Sequence, residues 1–292
     1  MKRRRSSPFR WMIPLFAAVL IAVFIFILGE PGGKSGRKPP SAAGEARPGA
    51  ATPTAPREKG PDISAARKAA GGPMAAIIVD DIGYNLEAIE NIRAIGCPIT
   101  VSILPFATLT EKSVRLASAC GLEIMLHLPL ESIAEKNGAP AVPGTIYEGM
   151  PDDQVRAAVE NCLARVPGAR GVNNHTGSLA TEETRFMRPI FEILKARGLY
   201  FIDSRTTAAS VAYKEARKAG VPAAVRKVFL DAEPGAEQIA GQLQKLFRLA
   251  KKNGRAVGIC HPKRDSLAAL AAHIGLAEAA GVRLVFASEI VQ

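Results

Sequence analysis

Acidic and imidazole side chains stand at the ends of several short apolar runs in this 292-residue chain. The residues at these ends are Asp80, Asp81, His127, His175 and His261. Two imidazoles and one carboxylate can hold Zn²⁺ while leaving a coordination position for water. The metal would activate that water, a second carboxylate could accept its proton, and another histidine could protonate a leaving group. The residue types therefore indicate metal-assisted hydrolysis.

Each of these residues also has an ordinary structural explanation. The paired aspartates could cap the following helix, because Asp is a favoured N-cap residue. A histidine at a strand end could be a hydrogen-bonded structural residue rather than a ligand. Asp203 is a further catalytic candidate, although it could instead pair with Arg205, and Asp231 fits better as the start of a turn. The convergence of three histidines with two carboxylates is what favours the chemical interpretation.

Apolar strand-like runs alternate with helical stretches from residue 74 onward. The runs are 75–82, 99–104, 123–128, 171–174, 199–203, 224–230, 256–260 and 283–287. Continuous apolar strands that are each followed by a helix imply a parallel sheet buried on both faces. Eight such units predict an α/β fold with a distorted (β/α)7-8 barrel, and a doubly wound open sheet is the alternative. In both architectures the active site forms at the carboxyl ends of the strands, where the candidate residues lie.

Several function classes are disfavoured by the sequence. No glycine-rich phosphate loop follows the first strand, and no G-x-S-x-G elbow is present, which argues against a Rossmann-type nucleotide site and a serine hydrolase. The chain has a net charge of +11, but residues 1–73 hold 13 Lys and Arg against 4 Asp and Glu. The remaining residues are nearly balanced, with 25 against 23. A basic nucleic-acid-binding face is therefore not indicated.

The amino-terminal part predicts a membrane anchor. Residues 11–28 carry no charge and follow a cluster of basic residues. As a helix they would span about 27 Å, close to the hydrocarbon core of a bilayer. The basic flank favours a cytoplasmic amino terminus, and no small-x-small cleavage pattern follows. We therefore expect a single-pass signal anchor in the inner (cytoplasmic) membrane over residues 1–28, with the rest of the chain periplasmic or otherwise extracytoplasmic.

Residues 29–73 have the composition of a linker. Thirty of these 45 residues are Gly, Pro, Ala or Ser, and none is aromatic. Such a segment cannot bury enough apolar surface to offset chain entropy, so we expect a disordered tether ahead of a catalytic domain at 74–292. The four cysteines show no close-spaced metal pair; buried thiols are the expectation, with one disulfide as the alternative.

Five short motifs resemble a known family. Their sequences are IIVDDIG at 77–83, LHLPLE at 126–131, GVNNHTGS at 171–178, FIDSRT at 201–206 and GICHP at 258–262. The first resembles the Asp-Asp motif of polysaccharide deacetylases, and the set is similar to the divergent branch of that family. The resemblance implies a distorted (β/α) barrel of the glycoside hydrolase/deacetylase type. It also implies an envelope polysaccharide as partner, with peptidoglycan as one candidate.

The resemblance also implies residue roles. Asp80 would be the base, Asp81 a metal ligand and His261 the acid. His127 stands where the family's histidine pair begins, but residues 128–131 lack the second histidine. We assign His175, from another strand end, as the replacement ligand.

Four further polar residues are candidates for binding sugar hydroxyls or orienting the ligands. They are Asn173, Asn174, Ser204 and Arg205.

The sequence thus predicts a metal-dependent hydrolase that removes acyl groups, acetyl in particular, from an envelope polysaccharide through a metal-activated water. Zn²⁺ is the expected ion, with Mn, Co and Ni as alternatives. A catalytically degenerate glycan-binding or regulatory module is the second hypothesis, because fold does not guarantee turnover. A structural envelope protein that recruits other factors is the third.

Overall fold

The computed structural model describes residues 71–292, which fold as alternating strands and helices. The strands are β1 (Met74–Ile82), β2 (Thr100–Ile103), β3 (Glu123–Leu130), β4 (Gly171–Thr176), β5 (Tyr200–Asp203), β6 (Ala223–Phe229), β7 (Arg255–Cys260) and β8 (Arg283–Val285). Each predicted apolar run overlaps one of these strands.

Helices follow the strands and cover the outside of the sheet. They are α1 (Glu87–Ala94), α2 (Thr110–Ala119), α3 (Ile133–Lys136), α4 (Asp152–Arg165), α5 (Thr184–Ala196), α6 (Ala212–Ala219), α7 (Ala236–Asn253), α8 (Arg264–His273) and α9 (Leu276–Ala279). Single 3₁₀ turns lie at Ala180–Glu182 and Ala287–Glu289. Local sequence sets several of the boundaries. A capping box of Ser132 and Glu135 begins α3, and Gly254, with φ of 78°, ends α7 in the left-handed conformation that glycine adopts freely.

The sheet closes into a seven-stranded parallel barrel. Strands β2 to β7 pair in chain order, β7 pairs with β1, and β1 pairs back with β2. This closure excludes the open doubly wound sheet. The barrel is distorted at β1. One edge of β1 pairs with β7, and the other edge pairs with β8 over Met74–Ala76 and with β2 from Ile78 onward. The prediction of a distorted (β/α)7-8 barrel is confirmed for this part of the chain.

The barrel interior is apolar toward the amino ends of the strands. A small buried cluster there includes Ala76 and Ile78 of β1 and Met125 of β3. Because side chains alternate along a strand, Asp80 and His127 continue these interior faces two residues further along. The larger cluster fills the space between barrel and helices, where α5 contributes an almost continuous buried face.

The predicted membrane span at 11–28 lies outside the described residues, as do the first 42 of the 45 residues of the predicted linker. Between residues 71 and 292, no helix has the length and apolarity needed to cross a bilayer. Cys162 and Cys260 are buried thiols, as expected, whereas Cys97 and Cys120 are only partly buried.

Candidate metal centre at the carboxyl end of the barrel

The two neighbouring aspartates of β1 reach the same side of the barrel mouth. Consecutive strand residues normally point to opposite faces, but the register between β1 and β2 shifts between Val79 and Ile82. Asp81 also has a φ of 56°, in the left-handed region. Such a conformation costs a non-glycine residue about 1–3 kcal/mol and is typical of functional sites. The bulge is therefore what brings both carboxylates toward one group of side chains.

Asp81, His127 and His175 form a compact three-ligand group, with their potential ligand atoms within 4.8 Å of one another. Asp81 Oδ1 lies 3.1 Å from His127 Nε2 and 2.9 Å from His175 Nδ1. The two histidine nitrogens are 3.1 Å apart. Ligand atoms 2.0–2.1 Å from a tetrahedral ion are about 3.3–3.4 Å from one another, so the donor set fits a small divalent cation such as Zn²⁺.

Asp80 lies behind this group and is tied to it through Asn173. The Oδ2 atom of Asp80 is 3.7 Å from His127 Nε2, and its Oδ1 accepts a hydrogen bond of 2.8 Å from Asn173 Nδ2. The Asn173 amide oxygen lies 2.7 Å from His127 Nδ1 and accepts a hydrogen bond of 2.6 Å from Ser102. Asp81 thus contacts His127 directly, whereas Asp80 lies near His127 and is also connected to it through the Asn173 amide.

The environments of the two aspartates separate their acidities. Burial raises the pKa of Asp80, against the opposing charge of His127 and the hydrogen bond from Asn173. Burial also acts to raise the pKa of Asp81, but hydrogen bonds and charges of His127 and His175 outweigh it and hold that pKa well below its ordinary value. Two carboxyl groups whose pKa values are pushed apart are suited to different roles, one as proton acceptor and one as a permanently ionised ligand.

His127 itself is fully enclosed. Burial acts to lower its pKa, but the charges of Asp80 and Asp81 and the hydrogen bonds to Asp81 and Asn173 raise the pKa to about 9. Without a cation in the group, these contacts favour the imidazolium form of His127, in which both ring nitrogens carry a proton. A bound divalent cation would take the place of the Nε2 proton, since a ligating imidazole must be neutral.

His261 approaches the same group from β7 and is held by Asp231. Its Nε2 lies 3.7 Å from Asp81 Oδ2, while its Nδ1 lies 3.2 Å from Asp231 Oδ1. The Asp231 carboxylate also accepts from the His261 backbone N–H at 3.0 Å and from Ser266 Oγ at 2.9 Å. The hydrogen bond to Asp231 raises the pKa of His261, against the effect of burial.

Sequence reasoning missed this role of Asp231. The residue does lie in the turn after β6, as predicted, but its side chain is also the partner of His261. Its position at the end of a strand, like that of the other aspartates, was the signal that could have found it.

The structure places Asp203 in a different environment from the three-ligand group. Its carboxylate accepts hydrogen bonds from the backbone N–H of Arg205 at 2.8 Å, from Ser210 Oγ at 2.8 Å and from the backbone N–H of Tyr213 at 3.3 Å. All three donors belong to the loop after β5 or the start of α6. The fully buried carboxylate therefore shapes this loop, and the catalytic role assigned to it has no support from these contacts.

The two asparagines lie beneath the mouth of the barrel, not at its surface. Asn173 is fully buried, and Asn174 is 1% exposed. Asn174 donates to the Thr176 carbonyl oxygen at 2.7 Å and accepts from the Ser204 backbone N–H at 2.9 Å. These contacts join the ends of β4 and β5, so both amides are engaged inside the protein. Arg205, in contrast, is exposed, and its role in sugar binding stays a prediction, as does that of Ser204.

An open pocket of about 460 Å³ gives access to the group. Its walls are Asp81, Ile82, Gly83, Tyr84, Asn85, His261, Pro262 and Lys263. Tyr84 is 53% exposed at its edge. A ligand in this pocket would contact Asp81 and His261.

Comparison with known proteins connects this arrangement to a family. A family model described as divergent polysaccharide deacetylase matches residues 77–291. An uncharacterized protein of Haemophilus influenzae is 33% identical over 197 residues, which cover 68% of this chain and 69% of that protein.

Two further relatives extend this comparison. The uncharacterized protein YibQ of Escherichia coli K12 is 31% identical over 187 residues, 64% of this chain and 58% of that protein. The crystal structure of an uncharacterized protein from Agrobacterium tumefaciens C58 superimposes with a TM-score of 0.71 at 26% identity, covering 76% of this chain and 91% of the other.

Proposed function

Because the chain belongs to the divergent polysaccharide deacetylase family, we propose that it is a metal-dependent hydrolase that removes acyl groups from an envelope polysaccharide. Acetyl is the expected group, and peptidoglycan is one candidate glycan. The observation that carries the proposal is the three-ligand group of Asp81, His127 and His175 next to a raised-pKa carboxyl group and an oriented histidine.

The three-ligand group would hold the ion, with Zn²⁺ proposed first and Mn²⁺, Co²⁺ or Ni²⁺ as alternatives for the same donors. When bound, such an ion supplies Lewis acidity, which polarises a carbonyl oxygen and lowers the pKa of water. Asp81 is suited to this role because its carboxylate stays ionised. His175, from β4, takes the place of the histidine that is missing after His127.

Asp80 would be the proton acceptor. Its Oδ1 is occupied by the hydrogen bond from Asn173, and its Oδ2 lies 3.7 Å from His127 Nε2 on the side of the ligands. Burial raises its pKa, and a base whose pKa lies nearer to the working pH is more effective at proton transfer. The proton of an attacking water would therefore pass to Oδ2.

His261 would be the proton donor. Its Nδ1–H is bound by Asp231, so that Nε2 faces Asp81 and the pocket. The raised pKa keeps the imidazole protonated to higher pH, ready to give its Nε2 proton to a departing amine or alkoxide. Asp231 acts through His261 by fixing its tautomer and orientation.

We also propose that the chain is anchored in the inner membrane by residues 1–28, with the enzyme domain on the periplasmic side. The uncharged stretch 11–28 behind a basic flank supports this topology. Protease added to spheroplasts should digest residues 71–292, whereas a cytoplasmic domain would be protected by the inner membrane.

A glycan-binding or regulatory module without turnover is the second candidate. Two observations favour it: residues 128–131 lack the second histidine of the motif, and Asp81, His127 and His175 already lie within hydrogen-bonding distance of one another. Such a cluster could persist as a structural feature without an ion.

Acetate release separates the two candidates. The full-length chain, saturated with Zn²⁺, should release acetate from acetylated peptidoglycan or another acetylated envelope glycan, and a chelator should stop the release. Glycan binding in the absence of any acetate release, with Zn²⁺ or with Mn²⁺, would contradict the hydrolase and support the binding module.

A further inference from the structure

The side chain of Asn173 joins three polar groups that come from three different strands. It lies on β4, two residues before His175, and is fully buried. Its Oδ1 is 2.6 Å from Ser102 Oγ of β2 and 2.7 Å from His127 Nδ1 of β3. Its Nδ2 is 2.8 Å from Asp80 Oδ1 of β1. One amide thus contacts both a proposed ligand and the proposed base.

These contacts determine which nitrogen of His127 carries a proton. An amide oxygen can only accept, so His127 must donate from Nδ1. When the ring is neutral, its lone pair is then on Nε2, the nitrogen that faces Asp81 and His175. The amide NH₂ donates to Asp80, which leaves Asp80 Oδ2 free toward the ligands.

The opposite amide orientation requires different protonation states. With oxygen and nitrogen exchanged, Asn173 would donate to His127 Nδ1, and Asp80 would have to be protonated to donate to the amide oxygen. His127 would then carry its proton on Nε2, where it would exclude a cation. The two orientations therefore predict opposite tautomers for His127 and opposite abilities to bind metal.

We propose that Asn173 is a positioning residue that couples the metal ligand to the base. Its oxygen holds His127 with the proton on Nδ1, and its nitrogen holds Asp80 with Oδ2 directed at the ligands. The catalytic half of this inference rests on the proposed hydrolase function, whereas the metal-binding half does not. Asn173 would thus act through His127 and Asp80 without contacting the substrate.

Asn174 offers a matched control. It is the next residue, is equally buried, and has a fully engaged amide, but its partners are the Thr176 carbonyl oxygen, Thr206 Oγ1 and the Ser204 backbone N–H. Removing either amide should cost similar stability. Only removal of Asn173 should change the behaviour of the three-ligand group.

The first test compares Asn173→Ala and Asn174→Ala in the full-length chain by calorimetric titration with Zn²⁺. Loss of a residue that orients a metal ligand lowers affinity by about 10–100-fold, which we expect for Asn173→Ala, against less than about threefold for Asn174→Ala. Acetate release at saturating Zn²⁺ should fall further in Asn173→Ala, because Asp80 also loses its support. Equal affinities in the two variants would overturn the proposal.

The second test needs no substitution at Asn173, so it can be carried out even if Asn173→Ala fails to fold. The chain has four histidines, so ¹⁵N-histidine spectra of the Zn²⁺-loaded protein can be assigned with His→Gln variants. His127 should show a protonated, slowly exchanging Nδ1 and a metal-bound Nε2. In the Zn²⁺-loaded protein, a His127 ring that is protonated on Nε2 and not on Nδ1 would contradict the proposal.

The outcomes also separate this inference from the proposed function. Zn²⁺ binding and the predicted tautomer without acetate release would leave the positioning role intact and reject the hydrolase. Acetate release that is equal in Asn173→Ala and Asn174→Ala would keep the hydrolase and reject the positioning role.

Discussion

The two ends of the barrel interior both bury polar side chains, but in different ways. At the amino end, Glu123 Oε1 accepts hydrogen bonds from Thr100 Oγ1 at 3.0 Å, Tyr200 Oη at 2.8 Å and the Ser288 backbone N–H at 3.1 Å. One acidic group is surrounded by neutral donors. At the carboxyl end, Asp80, Asp81 and three histidines crowd around one another.

The two clusters differ in how their buried charges are satisfied. The Glu123 cluster satisfies its single charge with fixed donors and fastens the turn at Ala287–Glu289 to the barrel, which is a structural function. The carboxyl-end cluster of Asp80, Asp81 and the three histidines contains several titratable groups. Among the described residues, the non-glycine positions with positive φ also lie at or just beyond strand ends at this side of the barrel, namely Asp81, Thr176 and Arg205. Strain and coupled charges of this kind lower stability and are retained where they serve a site. A buried carboxylate whose charge is satisfied by neutral donors therefore does not indicate chemistry. A buried cluster of several carboxylates and histidines that interact with one another does.

The strongest test of this comparison replaces one buried carboxylate at each end. Asp80→Asn should lower acetate release by about 10²–10⁴-fold, the usual contribution of a general base, with no loss of stability because burial already disfavours its charge. Glu123→Gln should do the reverse, lowering the free energy of unfolding by about 1–3 kcal/mol through a disturbed hydrogen-bond cluster. Acetate assays and urea unfolding of both variants check this prediction. Equal activity losses would remove the distinction between the two ends.

A smaller effect is expected from Asp231→Asn. Asp231 raises the pKa of His261, and a proton donor works only below its pKa, so activity should fall as pH rises through that value. Loss of the Asp231 charge lowers the pKa, and the alkaline fall in rate should therefore move to lower pH. We also expect a decrease in the maximal rate of about 10–100-fold. Rate profiles from pH 6 to 10 measure both effects.

Asp265→Asn, an exposed position at the start of α8, is the control for this experiment. An unchanged alkaline limb in Asp231→Asn would show that His261 is not the proton donor.

The smallest effect is expected at Tyr200, within the amino-end cluster. Tyr200→Phe removes one of the three donors to Glu123 and leaves the other two in place. The free energy of unfolding should decrease by about 0.5–1.5 kcal/mol, with acetate release per folded molecule unchanged. Urea unfolding and activity assays on the same preparation provide the comparison. A change in Zn²⁺ affinity would indicate that the two clusters communicate.

The sequence was sufficient for the positions of the strands and for the end of the sheet that holds the site, since polar candidates stand at the ends of six of the eight apolar runs. It was insufficient for contacts between strands. Asn173 stayed a candidate either for binding sugar hydroxyls or for orienting the ligands, because its buried position and its three partners depend on the registers of β1, β2 and β3. Asp231 was interpreted as a turn residue because its partner, His261, lies 30 residues further along the chain.

The bulge at Asp81 illustrates the same limit. Strict alternation along β1 would send Asp80 and Asp81 to opposite faces, and nothing in the run IIVDDIG marks the register shift. Only the pairing of β1 with both β8 and β2 reveals where the strand departs from regular geometry. Asp203, in contrast, ends a regular strand and was assigned a catalytic role that its loop contacts do not support.

The central claim is that the three-ligand group binds a divalent metal ion, and its direct test is metal content and affinity. The full-length chain, purified without chelators, would be compared with His175→Ala and with His273→Ala, a histidine on α8 outside the group. We predict one Zn²⁺ per chain in the wild type and in His273→Ala, and loss of the ion in His175→Ala. A folded wild-type chain that binds no divalent metal, or a His175→Ala variant that binds it as tightly, would contradict the account.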